Sequence, residues 1–167
     1  MTLSVSELPT VSLIQQLAQL FLSKKLKLVL AESCTCGGIA KVVTDLAGSS
    51  QWFERGYVVY SNIAKEECLG VKHETIEHYG AVSEQCTCEM ALGALEHSHA
   101  QIALSVTGIA GPDGGSAAKP VGTVWFGLAG LHIPIQTKLQ LFQGDRLAIR
   151  DQAIQFALEW LVQYLKS

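Results

Sequence analysis

The sequence predicts an α/β protein, specifically a three-layer α/β/α sandwich built on a mixed, mostly parallel sheet. Through the first two thirds of the chain, short apolar runs typical of buried strands alternate with helical patterns, which favours parallel strands covered on both faces. Two strand-like segments then follow each other directly, which adds an antiparallel pair. The 167 residues, 49% hydrophobic and 16% charged, suffice for a substantial core. We therefore expect residues 1–167 to form a single domain.

The first third of the chain predicts a helix followed by a strand–helix unit. Apolar residues between 11 and 21 recur at helical spacing, and Thr10 is the expected N-cap. Residues 26–31 are typical of a buried strand. Residues 37–46 predict a second helix that closes at Gly48, because a glycine often follows the last turn of a helix.

The middle third predicts one strand and three helices. The strand covers residues 57–60 and is followed by a short helix over 62–69. Another short helix covers 74–79, and a glycine ends each of these two helices. Ser83 is the expected N-cap of a longer helix that reaches about residue 98.

The last third predicts a buried strand, a loop, a strand pair and a helix. Residues 102–106 form the strand, and 108–120 are a glycine-rich loop. The strand pair is expected at 121–128 and 135–142. Asp145 is the expected N-cap of the final helix. The predicted apolar stripe of that helix consists of Leu147, Ile154, Leu158, Leu161 and Leu165.

The charge balance argues against several classes of partner. Twelve Lys and Arg against 15 Asp and Glu give a net charge of −3, so there is no bulk attraction for nucleic acid or an anionic membrane. No apolar stretch approaches the ~18 residues of a membrane span. The first residues lack the basic region of a signal peptide. We expect a cytoplasmic homo-oligomer, with a dimer favoured, that has no direct nucleic-acid or membrane partner.

The five cysteines do not predict a metal or redox site. Their odd number and a domain large enough to fold without crosslinks favour reduced thiols. Cys86 and Cys88 lie two residues apart on a predicted helix and therefore point to nearly opposite sides. Cys34 and Cys36 match neither zinc-site spacing nor the thioredoxin motif. We expect no metal and no structural disulfide.

The first candidate site lies where the strand at 26–31 gives way to a helix. Ligands of open α/β sheets bind at the carboxyl ends of the strands, and a helix N-terminus offers free amides for an oxyanion. Ser33 is therefore a candidate nucleophile, with amides near residues 36–38 as the oxyanion hole. The residues alone leave open that Ser33 or Thr35 only caps the helix.

Lys65 falls in the first turn of the helix at 62–69. The positive end of the helix dipole disfavours a cation there, and partial desolvation by Tyr60 would lower the lysine pKa further. A neutral Lys65 could then act as a general base for a serine. The alternative is a solvated surface lysine.

Two further features could hold an anionic ligand. Four glycines within residues 108–115 let the backbone wrap closely around a ligand, although a plain connecting loop shows the same composition. Arg146 and Arg150 lie one turn apart at the start of the last helix. Arg150 continues the apolar stripe, so its guanidinium needs an anionic partner, either a ligand phosphate or a carboxylate in a structural salt bridge.

Together, these junctions resemble the CinA C-terminal domain family, the nicotinamide mononucleotide deamidases. The resemblance covers about residues 10–165, and its segments occur in family order. They are AESCT at 31–35, GSS at 48–50, FERG at 53–56, YSN at 60–62 with Lys65, GAVS at 80–83, TGIAGPDGG at 107–115, KPVGTVW at 119–125 and GDR at 144–146.

The resemblance implies a hydrolase of pyridine nucleotide salvage that converts nicotinamide mononucleotide and water to nicotinic acid mononucleotide and ammonia. It implies a three-layer fold, no cofactor, Ser33 as nucleophile, and Tyr60 and Lys65 as the residues that activate it. It also assigns the glycine-rich loop and the Arg146 region to mononucleotide binding. The expected substrate-binding residues are Thr35, Gly37, Thr107, Gly108, Gly111, Gly114, Gly115, Arg146 and Arg150.

The chain departs from the family pattern at one position beside the nucleophile. The family commonly reads AESCTGG, whereas Cys36 occupies the first glycine position here. A side chain at this position would narrow the oxyanion site or demand a different backbone angle. The alternative function is therefore a catalytically silent nucleotide- or partner-binding module with the same fold. The longer family members also carry an N-terminal domain resembling molybdopterin-binding proteins, and we expect this chain to lack that domain and its activity.

Overall fold

A computed structural model of the protein describes residues 9–167, which form five strands and six α-helices. In chain order the elements are α1 (Pro9–Lys24), β1 (Leu28–Glu32), α2 (Gly38–Thr44), β2 (Phe53–Val58), α3 (Asn62–Leu69), α4 (His73–Tyr79), α5 (Glu84–Glu96), β3 (Ile102–Gly108), β4 (Thr123–Gly130), β5 (Ile133–Leu141) and α6 (Arg146–Lys166). A short 3₁₀ turn at Ser49–Gln51 precedes β2.

The five strands form one mixed sheet in the order β2-β1-β3-β4-β5. β1 pairs in parallel with β2 and with β3, whereas the β3–β4 and β4–β5 pairs are antiparallel. Four strands therefore run in one direction, and only β4 opposes them. The mixed α/β prediction is confirmed. Of the four strand pairs, however, two are parallel and two are antiparallel, because the hairpin places β4 between β3 and β5.

Helices cover both faces of the sheet, as the three-layer prediction requires. Alternate residues of a strand point to opposite faces, so Leu28 and Leu30 of β1 join one core while Val29 and Ala31 join the other. The first core packs β1, β3 and β4 against α1, α2 and α6. The second packs the other face against α3, α4 and α5. None of the described helices is long and apolar enough to cross a lipid bilayer.

The helix starts marked by a capping side chain, and the glycines that end α3 and α4, were predicted well. The Ser61 hydroxyl accepts a hydrogen bond from the Ala64 amide at the start of α3, which ends at Gly70 with a left-handed φ of 68°. Ser83 and Asp145 cap α5 and α6 in the same way. These caps satisfy amides that have no partner within the helix.

Four local predictions are wrong. α2 ends at Thr44, with Asp45 as its C-cap, and does not close at Gly48. Thr10 lies inside α1, so it is not the N-cap. β2 covers Phe53–Val58 rather than 57–60, because pairing with β1 begins at Phe53 despite the polar residues that follow. Leu147 is 63% exposed and does not belong to the apolar stripe of α6, which Ile149 begins instead.

Candidate active site

The candidate active site is a cleft at the carboxyl edge of the sheet. Ser33 directly follows β1, and its amide donates to the Val106 carbonyl of the neighbouring strand β3 (3.0 Å). The loops after β2 and β3 and the start of α6 complete the walls. The cleft has a volume of about 280 Å³ and is lined by Ser33, Cys34, Tyr60, Asn62, Lys65, Ala81, Val82, Thr107, Gly108, Ile109, Ala110, Gly111, Asp113, Gly114 and Arg146.

The Lys65 amine lies 3.0 Å from the Ser33 hydroxyl oxygen. The same nitrogen donates to the backbone carbonyls of Val59 (3.0 Å) and Tyr60 (3.1 Å). A neutral amine has two N–H groups and one lone pair. When the two carbonyls take both N–H groups, the lone pair faces the Ser33 hydroxyl. In its neutral form, a lysine in this arrangement can accept the serine proton.

The environment of Lys65 favours its neutral form. The side chain is only 1% exposed, and burial lowers the pKa of its amine because a charged ammonium loses its hydration there. No carboxylate among the described residues forms a salt bridge with it. The alternative of a solvated surface lysine is therefore wrong.

Tyr60 and Arg146 meet across the mouth of the cleft. The Tyr60 side chain is 56% exposed, and its hydroxyl accepts from Arg146 Nη2 (3.0 Å). Arg146 Nη1 donates to the Gly111 carbonyl (2.7 Å). Because a guanidinium carries five N–H donors, three remain for other partners. Tyr60 thus contacts Lys65 through its backbone carbonyl, while its phenol lies beside Arg146.

A buried carboxylate occupies the N-terminus of α2. Glu32 is 1% exposed and accepts from the amides of Ile39 (3.1 Å) and Ala40 (2.8 Å). Upstream, the Cys36 amide donates to the Ser33 carbonyl, and the Gly38 amide donates to the Thr35 carbonyl (both 3.0 Å). Two of the three amides expected near the oxyanion, those of Cys36 and Gly38, therefore already have backbone partners, and Glu32 occupies the helix N-terminus.

The structure places four of the predicted substrate-binding residues outside the cleft. Thr35 is fully buried, and its hydroxyl donates to Glu32 (2.6 Å). Arg150 points to the same turn, where Nη2 donates to the Thr35 carbonyl (3.1 Å). Gly37 is the left-handed residue before α2. A Cβ on Gly115 would lie 2.8 Å from the Val121 amide nitrogen, so this glycine serves close packing within the loop.

The remaining predicted residues do line the cleft. Gly108 requires glycine because a Cβ would lie 2.9 Å from the Thr123 carbonyl oxygen, and Gly111 adopts a left-handed φ of 80°. Thr107 is buried, and its hydroxyl donates to the Ala81 carbonyl (2.9 Å), which ties β3 to the segment before α5. With Gly114 and Arg146, these residues line the same cleft as Ser33 and Lys65.

The comparisons with known proteins agree with the resemblance of the motifs. Residues 10–165 match the sequence model described as the CinA C-terminal domain. The chain belongs to the CinA C-terminal domain family. It is 60% identical over 138 residues to a protein of Enterobacter agglomerans named nicotinamide-nucleotide amidohydrolase PncC, covering 82% of this chain and 84% of that one. A protein of the same name from Escherichia coli K12 is 52% identical over 149 residues, covering 89% and 90%.

A solved structure of the family has the same fold. The competence/damage inducible protein CihA from Agrobacterium tumefaciens superposes with a TM-score of 0.92 at 40% identity, covering 99% of this chain and 100% of that one. The departure at Cys36 from the pattern of the CinA family is accommodated locally. Cys36 has a left-handed φ of 50°, and its exposed side chain is not among those lining the cleft.

Sequence reasoning missed several residues of this site in the CinA-type fold. Glu32 appeared only as part of a matching motif, although a carboxylate at the end of an otherwise apolar buried strand signals a specific partner. Asn62 and Asp113 line the cleft and had no expected role. No group of three or more His, Cys, Asp or Glu side chains within residues 9–167 is arranged to hold a metal ion.

Proposed function

We propose that this protein is a nicotinamide-nucleotide amidohydrolase that converts nicotinamide mononucleotide and water to nicotinic acid mononucleotide and ammonia. The single observation that carries the proposal is the Ser33–Lys65 pair, whose hydroxyl oxygen and amine nitrogen lie 3.0 Å apart and whose residues both line the cleft. The names of the close relatives from Enterobacter agglomerans and Escherichia coli support the substrate. The single domain at 1–167 is proposed to act in the cytoplasm, in pyridine nucleotide salvage.

In the proposed reaction, Ser33 attacks the carboxamide carbon and passes its proton to neutral Lys65. The tetrahedral intermediate collapses, Lys65 returns the proton to the departing nitrogen, and ammonia leaves an ester on Ser33. Water then attacks this ester while Lys65 accepts the proton of the water. The second tetrahedral intermediate collapses, and Lys65 returns this proton to the Ser33 oxygen, which restores the serine hydroxyl and the neutral amine. Nicotinic acid mononucleotide leaves and ionises to its carboxylate by releasing a proton to solvent. We propose that the Cys34 amide, next to the nucleophile and in the cleft wall, holds the oxyanion.

Arg146 is the proposed anchor of the substrate phosphate. It lines the cleft and retains three N–H donors beyond its bonds to Gly111 and Tyr60. A guanidinium binds phosphate oxygens through charged hydrogen bonds. The loop from Thr107 to Gly114 is proposed to follow the ribose, since its glycines let the backbone approach closely. Tyr60, hydrogen-bonded to Arg146, is proposed to assist at the mouth of the cleft.

The decisive experiment incubates purified protein with nicotinamide mononucleotide and measures ammonia. We expect ammonia release from the wild type and none from Ser33→Ala, while both proteins bind the nucleotide. Saturable binding without ammonia release from the wild type would instead support the catalytically silent binding module. Turnover by Ser33→Ala within a few-fold of the wild type would remove the serine from the mechanism.

A further inference from the structure

We propose that Glu32, Thr35 and Arg150 form a clamp that positions the Ser33 turn for the reaction. These three residues are positioning residues, because none of them lines the cleft. The inference rests on the proposed amidohydrolase function. It assigns to Thr35 and Arg150 a role different from the substrate contact that their sequence positions suggest.

Glu32 holds the turn from the side of α2. Its carboxylate is buried and accepts three hydrogen bonds, from the Thr35 hydroxyl and from the amides of Ile39 and Ala40. A buried carboxylate is costly unless it is fully hydrogen-bonded, and a helix N-terminus offsets its charge. Glu32 also continues directly into Ser33. The carboxylate therefore fixes both ends of the segment between β1 and α2.

Arg150 holds the same turn from the side of α6. Its Nη2 donates to the Thr35 carbonyl (3.1 Å), while its Nε is buried without a hydrogen-bond partner among the described residues. No salt bridge to a carboxylate within residues 9–167 accounts for this guanidinium. The one hydrogen bond that this guanidinium makes within residues 9–167 is thus to the nucleophile turn. Thr35 is the centre of the clamp, bound through its hydroxyl by Glu32 and through its carbonyl by Arg150.

The clamp links the two ends of the proposed substrate site. Arg146 lies one turn before Arg150 on α6 and reaches the cleft, where it is the proposed phosphate anchor. The tie from Arg150 to Thr35 therefore fixes the distance between the nucleophile and that anchor. The turn itself cannot do this alone, because Cys36 and Gly37 are consecutive left-handed residues and need outside contacts to hold them.

The clamp predicts a loss in kcat with little change in KM. Substrate contacts stay in place when the clamp is loosened, but the Ser33 hydroxyl leaves its aligned position. A misplacement of about 1 Å costs up to about 100-fold in rate.

The test compares two matched substitutions at Thr35. Thr35→Val keeps the shape and removes the hydroxyl, so kcat should fall about 10- to 100-fold with KM within about twofold. Thr35→Ser keeps the hydroxyl that aligns the turn. Its kcat should therefore lie within about threefold of the wild-type value. Thr44→Val is the control, because Thr44 is an exposed α2 residue whose hydroxyl donates only to nearby backbone carbonyls. Its kcat should stay unchanged.

A second variant covers the case in which Thr35→Val does not fold. Arg150→Met should also lower kcat and leave KM unchanged. In the double variant, the fold loss in kcat should be smaller than the product of the two single losses, because both substitutions act on Thr35. The proposal is overturned if Thr35→Val keeps kcat within about threefold, if Thr35→Ser loses as much as Thr35→Val, or if the variants change KM alone.

A substrate-independent measurement separates the clamp from the proposed function. The rate at which a fluorophosphonate probe labels Ser33 reports the alignment of the nucleophile without nicotinamide mononucleotide. If the wild type does not hydrolyse the nucleotide but Thr35→Val slows labelling and Thr35→Ser does not, the proposed function fails and the clamp stands. Equal labelling of all the variants overturns the clamp, whatever the substrate.

Discussion

Replacing Lys65 with methionine or arginine separates its proton-accepting role from its charge. Methionine has no basic nitrogen, and arginine stays protonated at all accessible pH values. In the structure the amine contacts Ser33 and two backbone carbonyls, so a neutral amine that donates to both carbonyls keeps its lone pair for Ser33. A positioned general base contributes about 10²- to 10⁴-fold, or about 2.7–5.4 kcal/mol at 1.36 kcal/mol per decade. Both variants should therefore lose about 10²- to 10⁴-fold in kcat/KM.

The pH dependence of the wild-type kcat/KM tests whether the active form of Lys65 is the neutral amine. The active form of Lys65 is neutral, so kcat/KM rises with pH as the ammonium loses its proton. Burial lowers the pKa of this amine, so the rise is complete below the pH expected for a free lysine with a pKa of ~10.4. The assay is ammonia release across a pH series. This rising limb should be absent from the residual activity of both variants.

Stability measurements control for misfolding. Lys65→Met leaves the carbonyls of Val59 and Tyr60 without their partner, at a cost of about 1–3 kcal/mol for each buried group, partly offset by removal of the buried amine. A cooperative thermal transition above the assay temperature shows that the lost rate reflects chemistry. If Lys65→Arg keeps most of the wild-type rate, Lys65 is an electrostatic anchor, and the Tyr60 phenol becomes the candidate base.

Three further predictions concern the ligand, the thiols and assembly. Arg146→Ala should raise the Kd of the mononucleotide about 10- to 150-fold, because a charged hydrogen bond contributes about 1.5–3 kcal/mol. Calorimetric titration on the Ser33→Ala background measures this Kd. An unchanged affinity would mean that the phosphate binds elsewhere. Activity should survive chelator and dithiothreitol together, since all five cysteines are free thiols, whereas stoichiometric zinc in protein purified without added metal would contradict this. Sedimentation should show a dimer, and a monomer at all concentrations would refute this expectation. The first surface to mutate is the nine-residue edge strand β5, where Leu139 and Leu141 are half exposed.

The sequence predicted the parts of the site that depend on local signals. The Ser61 cap marks the start of α3 and the left-handed Gly70 marks its end. These limits place Lys65 one turn into the helix. Ser33 follows a buried apolar run, and the ends of parallel neighbouring strands meet at one edge of the sheet. Because both signals are local in sequence, the pairing of Ser33 with Lys65 was foreseeable.

The direction of side chains in the nucleophile turn was not foreseeable. Thr35 was expected as a substrate contact from the family resemblance, but its hydroxyl is buried and donates to Glu32, three residues earlier. Arg150 looked like a ligand anchor because it was expected on an inward stripe. Its contact depends on how α6 packs over the start of α2, where Ile154 meets Gly38. Such tertiary contacts carry no signal in the local pattern.

Cys36→Gly tests whether the departure from the CinA pattern limits activity. The cysteine sits at a left-handed φ of 50°, where an L side chain costs about 1–2 kcal/mol and glycine costs nothing sterically. Glycine also raises the entropy of the unfolded chain, which costs about 0.4–1 kcal/mol. The net gain in unfolding free energy should therefore lie between about zero and 1.6 kcal/mol, measured by denaturant titration.

The activity of Cys36→Gly should stay close to that of the wild type. The Cys36 side chain is exposed and does not line the cleft, and the neighbouring clamp contacts of Thr35 do not involve the thiol. We expect kcat/KM within about twofold, because surface changes away from the reacting groups leave transition-state contacts intact. A gain above tenfold would mean that the cysteine constricts the site, as the silent-module hypothesis requires. A loss above tenfold would mean that the strained backbone at this position helps to align Ser33, so that relaxing it with glycine is harmful.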